Sequence, residues 1–461
     1  MKFEHHVLGV AACGLLLLGC GEEPGAGTPG SRAAAWDAAL GEVRAKPEAY
    51  AIRCDDGLDP RACLWYGIYL GSEEREGGEG QGDAAAEQLI AHYWQKGCFL
   101  GSGEACGRLG DLRLSIQEEA VLPDAAQVEE GVALLTRGCT GSPRSGWACG
   151  ALGDYYAGRY ELGQNLHRGR AGNYYALGCS LGDGQSCGLA ASLMLEHTGS
   201  QEEIIRSYVR GCELDDGYSC ESLGAIYTGH SALGVARNLV RSEAYYAKAC
   251  ALGESSACTG LGQVYARQGR DTRTREAYDM ACTQGDAWGC TQLADIHEAA
   301  GDDAQARTLH ARACDLGATE QCLYLAALYD KAWDAAGAEQ FRGKACELGD
   351  IPSCTVMGET SLAHGATEQA AAYYAQACDA DEASSCNWLG YIYSELLRDA
   401  PLALQSFERA CELDDAHGCT WLGHVYFQFD KDVRQAWQAY ARGCQLGDQL
   451  ACQQAHRLSS H

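Results

Sequence analysis

Three things are missing from these 461 residues, and each absence closes a route. The apolar run from Val7 to Leu18 is shorter than the ~20 residues a membrane-spanning helix needs. No C-x-x-C, C-x-x-C-H or H-E-x-x-H occurs, so zinc knuckles and a dithiol redox centre lack their usual ligands and nucleophiles. Positive charge is scarce: 35 Lys and Arg stand against 63 Asp and Glu, for a net charge of −28. A polyanion would be repelled over most of such a surface, which excludes nucleic acid as an expected partner. The acidity itself reads as a solubility device.

What is present in quantity is cysteine, 26 residues of it, far more than a chain bathed in a reducing cytosol maintains. The start, MKFEHHVLGVAACGLLLLGC, has a polar opening, an apolar stretch and a small-residue ending, the plan of a secretory signal over residues 1–19. Leu17-Leu18-Gly19-Cys20 resembles the lipobox of bacterial lipoproteins, which makes Cys20 the expected lipid attachment point. Gly21 follows where an inner-membrane retention signal would place aspartate, so the resemblance favours the outer membrane. Residues 20–35, rich in Gly, Pro and Ala, read as a flexible tether, and 36–461 as a single repeat array.

Once Cys13 leaves with the signal and Cys20 takes lipid, 24 cysteines remain, and they fall into sequential pairs. These are Cys54 and Cys63, Cys98 and Cys106, Cys139 and Cys149, Cys179 and Cys187, Cys212 and Cys220, Cys250 and Cys258. The series continues with Cys282 and Cys290, Cys314 and Cys322, Cys346 and Cys354, Cys378 and Cys386, Cys411 and Cys419, Cys444 and Cys452. The first cysteines recur every 32 or 33 residues from Cys250 onward and every 33 to 44 before it, the signature of stacked helical hairpins.

Each period contains two helical patterns. Downstream of a second cysteine, apolar or small residues stand at +3, +4 and often +7, as in Leu223, Gly224 and Tyr227, or Leu389, Gly390 and Tyr393. That is the buried stripe of an amphipathic helix, here called A. Upstream of a first cysteine lies helix B, with an aromatic four positions before the cysteine in nine of twelve copies: Tyr50, Trp94, Tyr175, Tyr208, Tyr246, Tyr278, Tyr374, Phe407 and Tyr440. Core packing is the plain function of such rings. Lys or Arg two positions before the cysteine suits the negative end of the helix dipole and reads as a solvated residue.

Between the cysteines, Gly101, Gly182, Gly253, Gly285, Gly317, Gly349 and Gly447 suit a left-handed helix terminator, and an acid or hydroxyl after them suits a cap for the next helix. The first cysteine therefore ends B, the chain reverses, and the second cysteine lies in the opening turn of the next A, within disulfide reach. Trp36 to Cys54 reads as a solitary B, the residues after Cys452 as a truncated A, and eleven full units lie between them. Gly71 to Asp83 and Gly158 to Gly172 are longer connections.

Units such as Cys220 to Cys250, with LG, Tyr, AYYAKAC and, elsewhere, ELGD, resemble Sel1-like repeats of the cysteine-rich Helicobacter type. The resemblance covers nearly the whole mature chain, although the units after Cys250 are shorter than usual for that family and approach tetratricopeptide length. It implies an all-α, α/α superhelical solenoid whose concave groove holds a protein or peptide partner. It implies as an alternative a weak β-lactam hydrolase or penicillin-binding activity.

The residues themselves favour the binding module. A serine β-lactamase needs S-x-x-K, and none of the seven lysines has serine three places earlier. The thirteen histidines are scattered and give no ligand set by spacing; His297 and His310 read as packing residues. Gly184-Gln185-Ser186-Cys187-Gly188 matches the nucleophile-elbow pattern but falls in a helix-to-helix turn. Asp215-Asp216 and Asp414-Asp415 read as helix caps. The expectation is a monomeric, lipid-anchored scaffold of the cell envelope, periplasmic or at the surface, without catalytic residues, metal or cofactor.

Overall fold

The computed structural model describes residues 31–57, 59–76, 84–115, 124–160, 167–197, 199–231, 233–430 and 432–459. The signal segment, Cys13, Cys20 and part of both long connections lie outside the described residues. Among those described, twenty-five α-helices follow one another and no strand occurs. None of the helices is long and apolar enough to cross a membrane. The chain divides into two compact units, one up to Ala277 and one from Tyr278.

Within each unit the helices alternate as A and B. In the N-terminal unit, Gly146–Ala157 (A) packs on Arg168–Ser180 (B), and Gly217–Ala225 (A) on Leu239–Ala251 (B). In the C-terminal unit the spacing is stricter: Ala287–Ala299, Asp303–Asp315, Thr319–Lys331, Ala335–Glu347, Ile351–Ala363 and Thr367–Asp379 are each thirteen residues long. Successive A helices also touch, Ala383–Tyr391 against Ala416–Val425 for example, so each hairpin stacks on the next.

Twelve disulfides join the twelve sequential pairs, with Cα–Cα separations of 4.4 to 4.9 Å. The turn they close has a constant design. The third residue after the first cysteine is left-handed in eleven of the twelve turns: Gly57, Gly101, Gly182, Gly253, Gly285, Gly317, Gly349 and Gly447, joined by Asp215, Asp381 and Asp414. The twelfth turn, between Cys139 and Cys149, is longer and passes through Ser142-Pro143 instead. In most turns the next residue then caps helix A with its side chain, Glu254 and Ala318 being exceptions: Asp350 Oδ2 accepts from the Ser353 amide at 3.0 Å, and Asp448 Oδ1 from the Leu450 amide at 2.7 Å.

The buried interior of a hairpin is assembled from two marks that stand far apart in the chain. A glycine at +4 of helix A receives the face of the ring at −4 of the following helix B. A Cβ built on Gly224 would stand 2.7 Å from the Tyr246 ring; on Gly390 it would be 2.6 Å from Phe407, and on Gly423 2.6 Å from Tyr440. Contacts that short do not occur between real atoms, so only glycine admits the ring at this depth. The rings are accordingly covered, with Tyr175, Tyr374 and Phe407 at most 1 % exposed. Burial pushes the phenols of Tyr246, Tyr374 and Tyr440 up to about 12, and they stay neutral across the physiological range.

Three readings change. The solitary first B helix is two helices, Ser31–Ala45 and Pro47–Asp55, because Pro47 lacks an amide hydrogen and pushes Lys46 out of helical geometry (φ −146°). The first of these opens at Ser31, inside the segment read as tether, where the run Ala33-Ala34-Ala35 favours helix. The paired aspartates are not two caps. Asp215 and Asp414 are the left-handed residues of their turns, and only Asp216 and Asp415 cap, accepting from Ser219 and Gly418 amides.

Candidate functional site

Several of the basic residues that stand two places before a first cysteine do more than face solvent. Lys248 Nζ donates to the carbonyl of Cys212 in the preceding B helix at 2.5 Å and pairs with Asp215 at 2.9 Å. Arg137 reaches the Cys98 carbonyl at 3.2 Å and Arg312 the Thr283 carbonyl at 3.3 Å. Arg409 and Arg442 pair with Asp381 and Asp414. The attraction that the sequence assigns to a residue's own helix end is thus directed at the neighbouring one, whose last carbonyls also lack partners. These residues set the register between hairpins.

The sequence motif at Ser186 has no exposed nucleophile. Ser186 is fully buried in the first turn of Gly184–His197; its hydroxyl donates to Asp183 Oδ2, and its amide to the same oxygen at 3.0 Å. That is a helix cap, beside the Cys179–Cys187 bridge.

Two surfaces remain as candidates for binding. In the N-terminal unit an open cleft of about 340 Å³ lies between Ala125–Thr140, Gly146–Ala157 and Arg168–Ser180. Val128, Val132, Tyr156, His167 and Arg170 line it, and the Arg170 guanidinium sits 5.5 Å from the centroid of the Tyr156 ring.

The second surface is a run of rings in the C-terminal unit. Tyr374 stacks on Trp388 at 6.3 Å between centroids, and Trp388 meets Tyr391 edge-on at 5.8 Å. Tyr391 then reaches Trp421 of the next A helix at 6.5 Å, and Trp421 stacks on Phe407 at 6.2 Å. His424, 5.5 Å from both Trp421 and Tyr440, closes the run. Burial holds the His424 imidazole below its ordinary range, so it is neutral at physiological pH and extends an apolar strip. The inner rings are core, but Trp388 is 43 % and Trp421 38 % exposed. Both tryptophans occupy the second position after a bridge cysteine, a regularity visible in the sequence whose exposure only the fold reveals.

A polar edge borders this strip. Asp448 is buried, which acts to raise its carboxyl, but hydrogen bonds from Thr420, Ala451, Leu450 and His417 outweigh burial and hold it below the usual range. It is therefore a fixed negative charge beside the ring face.

One further grouping was not legible as a set. His310, which replaces the usual ring at −4, comes together with Asp295 and Glu298 of Ala287–Ala299.

No protein-family model and no curated protein matches the chain. Solved structures with Sel1-type repeats do resemble it. A protective antigen of uropathogenic Escherichia coli displaying an SLR fold is 20% identical, with 91% of this chain and 93% of that one covered and a TM-score of 0.46. A Sel1 repeat protein from Oxalobacter formigenes is 17% identical, with 82% and 92% covered and a TM-score of 0.30. Likenesses at this level carry no functional assignment; the helical-hairpin fold rests on the helices and bridges described above.

Proposed function

We propose that the chain is an extracytoplasmic scaffold, tethered through a lipid on Cys20, that binds a protein or peptide partner on the A-helix ring face of its C-terminal unit. The carrying observation is the pair Trp388 and Trp421, large apolar surfaces held half-exposed on a buried ring framework. Rigid rings with one face free give contact area at low entropic cost, the property that makes tryptophan frequent at binding hot spots. Twelve disulfides support an oxidising compartment. The β-lactam hydrolase alternative has no observation in its favour, since the one serine motif is a buried cap.

Capture from cross-linked envelopes tests the reading. The Trp388→Ala/Trp421→Ala variant should lose its captured partner while keeping its melting temperature within a few degrees. Undiminished capture, or sustained nitrocefin turnover by the purified chain, overturns it. Radiolabelled palmitate should enter the wild-type chain and not Cys20→Ser.

A further inference from the structure

In several hairpins the fifth residue after a second cysteine in helix A meets the ring four before the next first cysteine in helix B, as Ser192 meets Tyr208 and His424 meets Tyr440. Where these are Asp154 and Tyr175, the phenol donates to the carboxylate at 2.7 Å, and both groups are satisfied. The hairpin Ala287–Ala299/Asp303–Asp315 has aspartate, Asp295, at the same place, but the ring opposite is His310. An imidazole is shorter than a phenol and cannot make that bond.

His310 is only 3 % exposed, and neither of its ring nitrogens has a hydrogen-bond partner. Nε2 lies 3.4 Å from Glu298 Oε1, an approach whose geometry falls short of a hydrogen bond. A buried imidazole with both nitrogens unused is costly in any fold, and it needs a ligand or a proton acceptor to offset that cost. One ligand atom from each of Asp295, Glu298 and His310 lies within 4.8 Å of the other two. Two outer contacts orient the set: the Tyr324 hydroxyl donates to Glu298, and Gln292 Nε2 donates to Asp295 Oδ2 at 3.3 Å. Outer-shell donors of this kind fix the orientation of metal-binding carboxylates. No other grouping of this kind occurs among the described residues.

We propose that Asp295, Glu298 and His310 form a binding site for a divalent transition-metal ion of the Zn2+ class. One imidazole and two carboxylates supply three ligands, and water completes a tetrahedron. The ion would join helix A to helix B in the hairpin where His310 stands in the ring position. Asp295 and Glu298 are exposed, so the ion enters from solvent without opening the core.

Equilibrium dialysis of the oxidised full chain against Zn2+ decides the matter, with thermal unfolding as a second readout. His310→Tyr restores the ring that most other hairpins carry and removes the ligand; Asp295→Asn removes a ligand and leaves the ring untouched. The wild-type chain should take up one Zn2+ that both variants bind at least about tenfold more weakly. Zn2+ should raise the melting temperature of the wild type alone, and Ca2+ at the same concentration should not, because hard cations take oxygen ligands and decline imidazole. Zn2+ uptake unchanged in His310→Tyr, no saturable uptake at all, or equal stabilisation by Ca2+ overturns the site.

Discussion

The two units are built on one hairpin plan and spend their deviations from it differently. In the N-terminal unit the deviations are in length: the bridges 54–63 and 139–149 are wider than the rest, and the connections are long. Its interior also takes in carboxylates, Asp154 under Tyr175 and Asp111 under Tyr160, and its Trp65, Trp94 and Trp147 are partly buried, Trp147 under the Arg108 guanidinium at 4.1 Å. In the C-terminal unit the period holds at 32 or 33 residues and the deviations are in the rings. Among the described side chains, the five half-exposed or exposed tryptophans, Trp288, Trp333, Trp388, Trp421 and Trp437, belong to it. A regular stack repeats its surface at a fixed spacing, so side chains on one face can form a continuous strip; variable connections interrupt such a strip. The comparison teaches that regularity of period and exposure of tryptophan surface go together among the described side chains.

The largest way to break it is to cut a bridge in each unit. Replacing both cysteines of Cys139–Cys149 or of Cys346–Cys354 by serine should cost about 2–3 kcal/mol in either place, since the closed loops differ little in length. Denaturant unfolding measures this; a cost confined to one unit would show that the bridges do different work in the two.

Next come the glycines beneath the rings. Gly153→Ala should clash with Tyr175 and Gly390→Ala with Phe407, each losing about 1–3 kcal/mol, whereas Gly172→Ala, with nothing near its Cβ, should be neutral or gain. Equal losses at the first two positions would establish a common interior, and unequal ones would mean that one unit relaxes around the added methyl.

Asp154 offers a contrast that the C-terminal unit does not share in this form. Burial raises its carboxyl from the ordinary 3.8 to about 6, against the opposing pull of Arg159 and Tyr175. The folded chain therefore holds this proton more tightly than the unfolded one. The associated stability is complete below pH 3.8 and is lost as pH rises through about 6. Asp154→Asn should flatten that dependence, a difference on the order of 1 kcal/mol between acid and neutral pH, seen as converging melting curves. A variant with an unchanged slope would remove Asp154 as its origin.

The smallest effect concerns the stitches between hairpins. Lys248→Met and Arg442→Met should each cost under about 1 kcal/mol and lose that cost in high salt, the Arg442 pair being the more exposed.

Periodicity and cysteine parity were legible because each hairpin repeats a local rule: a left-handed residue, a cap and a bridge lie within a dozen residues of one another. Where local rules suffice, as at Gly349-Asp350, the reading and the structure coincide. The splitting of the first helix at Pro47 has its local signal in the sequence, a proline with no amide hydrogen to continue the helix. The double duty of Asp215-Asp216 was harder to read, because either aspartate alone could cap.

The amino-acid order by itself determined the all-α hairpin repeat and the pairs of cysteines, since those depend on contacts within one turn of chain. Only tertiary structure decided which ring meets which glycine, that Lys248 serves the neighbouring helix, that Trp388 and Trp421 belong to one strip, and that His310 faces Asp295 and Glu298. Those relations depend on the rotation of one helix against another. Side-chain volume summed over the whole interface sets that rotation, and no single spacing in the chain records it.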